Sequence, residues 1–112
     1  MKKVILSLLL SLNMYAAPMG ELMFNGNCLT CHAIDKANSA PSIKEIRHVY
    51  LQRFTTEEAF IAFMIPWIQK PNATTALMPE AIKKYDLMPE LGYDAETLKE
   101  IASYLYHLKV AP

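Results

Sequence analysis

The chain's two cysteines both stand in one short run, Cys28-Leu29-Thr30-Cys31-His32. Of all features in the 112 residues, this one most constrains the fold. Thiols three positions apart share one helical turn, so they cannot staple distant parts of a domain together. Three ordinary readings compete. Structural zinc needs four ligands, and no second Cys pair or His pair with zinc spacing is present. A thioredoxin-like redox pair expects a βαβ context, and no alternating apolar run precedes Cys28. A plain disulfide between such close neighbours is a poor structural staple.

The residue that follows points elsewhere. With His32 directly after Cys31, the run is C-x-x-C-H, the attachment signature of c-type haem. The spacing has a chemical reason. Each thiol can add to a vinyl group of the same porphyrin, and the adjacent histidine then reaches the iron from the proximal side. Bacteria attach haem in this way outside the cytoplasm, so the chain should be exported, with a haem-attachment machinery as its partner in maturation.

The N-terminus agrees with export. Met1-Lys2-Lys3 is a short positive region, and Val4 to Leu12 is an apolar run broken by Ser7 and Ser11. That run is shorter than the roughly 20 residues that span a bilayer but suits a secretory signal. Residues 1–17 therefore read as a signal peptide cleaved near Ala16 or Ala17, with membrane association if the leader is retained. Residues 18–112 form one domain, and the expected location is the periplasm. Ala59 to Ile68 is apolar but too short to cross a membrane, and Pro66 interrupts it.

Charge and composition exclude other classes. Eleven Lys and Arg balance eleven Asp and Glu. Lys2 and Lys3 leave with the leader, which takes the net charge to −2. No basic excess exists to neutralise phosphates, so nucleic acid is not an expected partner. Three glycines argue against a glycine-rich phosphate cradle. A mature chain of about 95 residues buries only roughly 60–65% of its unfolded surface, and a haem would add the apolar mass that its own core lacks.

The flanks of the motif resemble a class I, monohaem c-type cytochrome of the small bacterial periplasmic kind. Gly20 and Phe24 precede Cys28 by eight and four residues, and Ile101-Ala102-Ser103-Tyr104-Leu105 is similar to the family's last helix. The likeness spans about residues 18 to 109 and is loose in the middle. It implies an all-α fold of about four to five helices around one covalently attached haem, with the first and last helices crossing. By that resemblance Gly20 and Phe24 would meet Tyr104 and Leu105. The residues read alone agree in part. Asp94 is a fair N-cap, and Leu98, Ile101, Ala102, Leu105 and Leu108 form an apolar stripe at helical spacing.

An iron held by His32 needs a second axial ligand. Met19 and Met23 precede the motif by too little to fold over the far face, and Met64 lies in an apolar helical run where methionine fills core space. Two Met-Pro pairs remain, Met78-Pro79 and Met88-Pro89. The family's axial methionine sits in a loop shortly before the last helix. Met88 fits this, since Met88 to Tyr93 leads straight to Asp94, and Met78 is the alternative. His107 belongs to the last helix and is expected to face solvent. His48 lies in a connecting segment, where a surface or propionate-edge role is expected.

Further contacts follow from the same resemblance. Ala40-Pro41-Ser42 is similar to the family's proline segment, which implies that the Pro41 carbonyl accepts a hydrogen bond from His32. Trp67, the single tryptophan, looks like the family's propionate-contacting tryptophan. Tyr50, Arg47 and Arg53 are further candidate propionate donors. Along the chain, a first helix is expected near Gly20 to Asn25 and a short helical turn near Ser42 to Arg47. Thr55-Thr56-Glu57-Glu58 reads as a capping box that opens a helix to about Gln69, kinked near Pro66. Glu80 to Tyr85 and Ala95 to Lys109 complete the set. The like-charge pairs Glu57-Glu58 and Lys83-Lys84 read as solvated helix faces.

With both axial positions filled, no open site remains for a substrate. The expected function is one-electron transfer between periplasmic or membrane redox proteins, and not catalysis. Two alternatives stay open: the cytochrome subunit of a periplasmic oxidoreductase, and a five-coordinate ligand-binding or sensor cytochrome in which Met88 is not bound.

Overall fold

The computed structural model describes residues 18–110. The expected signal peptide, residues 1–17, lies outside the described residues. Five helices and no strand occur among the described residues: α1 (Met19–Asn27), α2 (Ile43–Arg53), α3 (Glu57–Gln69), α4 (Pro79–Tyr85) and α5 (Ala95–His107). No helix among them is long and apolar enough to cross a membrane.

Local chemistry accounts for most of the boundaries. The Asp94 carboxylate accepts from Thr97 N at 2.7 Å and starts α5. Ser42 accepts from Glu45 N at 3.1 Å and starts α2. That helix runs to Arg53, well beyond the single turn expected near Ser42 to Arg47. The cap of α3 lies one residue later than the capping-box reading, because Thr56, not Thr55, accepts from Ala59 N at 3.2 Å. Pro66 does not end α3, which continues to Gln69. Pro79 opens α4, where its missing N–H costs nothing.

Helix α5 is the centre of the packing. It lies against both α1 and α3 and more lightly against α2. The crossing with α1 depends on Gly20. A Cβ added there would run into Glu100 O and come within 2.9 Å of Tyr104 Cβ. Beside it the Phe24 and Tyr104 rings pack with centroids 5.3 Å apart. The core joins Phe24, Ile43, Tyr50, Phe60, Met64, Ile101, Ala102 and Leu105. Helix α4 stands apart. It buries no residue, and among the described residues it packs closely on no other helix.

Candidate functional site

The motif follows directly from α1. Cys28 N bonds to Phe24 O at 2.8 Å, and His32 N bonds back to Cys28 O at 2.9 Å. The chain therefore makes a tight turn that puts Cys28, Cys31 and His32 on the wall of one cleft. Cys28 is half-buried and Cys31 exposed, and both thiols are free. Burial pushes the Cys28 thiol up to about 11. A redox-active thiol needs its pKa lowered, so this environment suits a thiol that packs against an apolar group.

The loop after the motif folds back and orients the histidine. Ile43 N bonds to Ala33 O at 2.9 Å and Lys44 N to Ile34 O at 3.0 Å. These bonds bring Pro41 to the edge of the ring, with Pro41 O 2.8 Å from His32 Nδ1. A carbonyl only accepts, so Nδ1 carries the proton and Nε2 of the neutral ring keeps its lone pair. A metal-ligating imidazole needs that tautomer and that kind of support.

The cleft lies between this turn, the inner faces of α2, α3 and α5, and the segment 76–93. Its cavity volume is about 240 Å³, and it opens to solvent at its mouth. Helix α4 and its flanks also line the cleft. Met78, Ala81, Ile82 and Tyr85 line the cleft half-buried, while Glu80, Lys83 and Lys84 face solvent. Helix α4 thus turns its apolar stripe toward the cleft. Met78 is the residue before α4, and Met88 lies two residues beyond Asp86, where the chain turns with φ 69°. Both methionines line the cleft, as do Met64 and Tyr50. Among the described residues, no three of His, Cys, Asp and Glu gather into a metal-binding group. Two thiols on one turn, an oriented imidazole and the thioethers of Met78 and Met88 thus line one apolar cleft.

Several expected donors are engaged elsewhere. Trp67 lines the cleft, but its indole N–H donates to Asn72 O at 3.1 Å, so no free donor is left for a propionate. Arg47 reaches Leu105 O at 3.0 Å and Tyr106 O at 2.9 Å and closes the carbonyl end of α5. Arg53 is exposed and stands over the Phe54 ring at 5.8 Å. His48 is exposed and away from the cleft. Tyr50 stays at the cleft wall, its hydroxyl pushed up to about 12 by burial, and so remains protonated.

Two groupings escaped the sequence reading. Glu57 is not a free solvated charge. Ser103 donates to its Oε1 at 2.6 Å, and His107 Nε2 lies 3.1 Å from Oε2. The Ser103 hydroxyl and then His107 hold this carboxylate below its ordinary value. Tyr93 donates to Asn27 Oδ1 at 3.0 Å, beside the cysteine turn. No local pattern signals either pairing.

Comparisons with family models, with curated proteins and with solved structures find no match for this chain.

Proposed function

We propose that this chain is a periplasmic electron carrier that holds one haem c covalently through Cys28 and Cys31. The observation that carries the reading is the Cys28-Cys31-His32 turn on an apolar cleft, with the His32 ring oriented by Pro41 O and Met78 and Met88 lining the same cleft. The haem would supply an iron that takes up and returns one electron. His32 would hold it through Nε2, and the Pro41 carbonyl keeps that ring oriented. Met88 would be the second residue to hold it, with Met78 the alternative. Thioether ligation and an apolar cleft would favour the ferrous iron and raise the potential. With His32 and Met88 both holding the group, its partners would be larger redox proteins rather than substrates.

The test is the spectrum of the exported, haem-loaded protein. The oxidised form should show the weak sulfur-to-iron band in the far red. Met88→Ala should remove it and Met78→Ala should leave it. The reverse pattern transfers the ligand role to Met78. A wild type without the band is five-coordinate or otherwise ligated and overturns the carrier reading. Co-purification of a larger subunit would favour an oxidoreductase component.

A further inference from the structure

The segment from Asp86 to Asp94 carries Met88 and is poorly tied to itself. Between Asp86 N, which closes α4 on Ile82 O, and Leu98 N, which opens α5 on Asp94 O, the described residues form no backbone-to-backbone hydrogen bond. Pro89 has no N–H to offer, and Gly92 turns the chain with φ 73°. Leu87 and Leu91 are exposed. Little in the segment's own backbone fixes how far Met88 projects.

Two bonds, both at Tyr93, supply what the backbone lacks. Its hydroxyl donates to Asn27 Oδ1 at 3.0 Å. Its carbonyl accepts from Gln69 Nε2 at 3.5 Å, at the end of α3. Asn27 is itself oriented, because its Nδ2 donates to Met23 O at 2.7 Å, which leaves Oδ1 as the acceptor. Asn27 is also the residue directly before Cys28, and Asn27 and Tyr93 both line the cleft. The bond thus ties the methionine segment to the cysteine turn across the site.

We infer that Tyr93 is the positioning residue for the axial methionine: its bond to Asn27 latches the segment that carries Met88 onto the turn that carries the haem-attaching cysteines. The inference rests on the proposed reading of Met88 as a ligand. The latch acts on the distal side only. The His32–Pro41 bond and the cysteine attachments do not involve it.

The experiment uses haem-loaded protein exported from cells with haem-attachment machinery. Tyr93→Phe keeps the ring and deletes the hydroxyl. Covalent haem content and thermal unfolding midpoint are compared with wild type, together with the far-red sulfur band and the affinity of the ferrous protein for carbon monoxide, which must displace the methionine. Tyr93→Phe should retain covalent haem, weaken the band on warming, and bind carbon monoxide about five- to tenfold more tightly, the change that losing one net hydrogen bond allows. Asn27→Leu should do the same, and the double variant should add little. Unchanged carbon monoxide affinity and band in Tyr93→Phe would overturn the latch. So would equal effects from Tyr104→Phe, which removes a hydroxyl from the α1–α5 crossing and not from the Met88 segment. Failure of the underlying reading looks different: wild type itself would then lack covalent haem, or its band would survive Met88→Ala.

Discussion

Gly20 shows how one missing side chain sets a helix crossing. The atoms that a Cβ would meet are Glu100 O and Glu100 C, which are backbone and cannot swing aside, together with Tyr104 Cβ. Gly20→Ala must therefore push α1 off α5. We expect a cost of about 1–3 kcal/mol from overpacking, measured as a lowered denaturant midpoint of the haem-loaded protein with an unchanged slope. Gly26 in the same helix has open space around it. There the alanine removes a helix-interior glycine and should add about 0.5–1 kcal/mol. Equal signs at the two positions would contradict the close-crossing account. His32 is positioned with the same economy: one carbonyl, that of Pro41, selects the tautomer. Residue-scale features of this kind were partly legible. The spacing of Gly20 and Phe24 from Cys28 is visible in the chain, whereas the competition that takes the Trp67 and Arg47 donors to Asn72, Leu105 and Tyr106 is not.

The helices divide by what they bury. Helix α5 places Leu98, Ile101, Ala102 and Leu105 inside and packs on three neighbours. Helix α4 has seven residues, none buried, and one apolar stripe that faces the cleft. Opening free energies track buried apolar contact. Native-state hydrogen exchange on the haem-loaded protein should therefore rank α4 below α1, α3 and α5 in protection. Amides of Ile82 to Tyr85 as slow as those of Ile101 to Leu105 would contradict that ranking. The extent of α2 illustrates why a helix length can exceed its sequence signal. Its hydrophobic stripe is short, but Ile43 and Tyr50 are buried seven positions apart, and Arg53 ends the last turn with favourable charge.

At the scale of the whole molecule, the cleft is as much the interior as the core is. Phe24, Ile43, Tyr50, Met64, Ile101 and Leu105 belong to both. Opposite the cleft, Glu57 pins α3 to α5 through Ser103 and His107. Its carboxyl titrates below the ordinary 4.5, chiefly because Ser103 donates to it. A depressed carboxylate contributes stability that is complete above its ordinary value and lost as pH falls through the folded value. The unfolding midpoint of wild type should thus exceed that of Ser103→Ala near pH 6, and the gap should shrink below about pH 4. A gap that is constant down to pH 3 would show that Ser103 acts by packing alone.

What the sequence by itself determined is local. The Cys28-Cys31-His32 turn, the Asp94 cap, the apolar stripe of α5 and the two Met-Pro pairs are all legible because capping, periodicity and motif spacing act within a turn or two of chain. Tertiary structure alone decided which polar groups meet. Tyr93 and Asn27 are 66 residues apart, Arg47 and Leu105 are 58 apart, and Glu57 and Ser103 are 46 apart. Each of these bonds exists only because close packing of α5 on its neighbours carries distant segments to within 3.0 Å or less of one another. Such pairings leave no periodic trace, since a single donor and a single acceptor suffice and many residues along the chain could supply either.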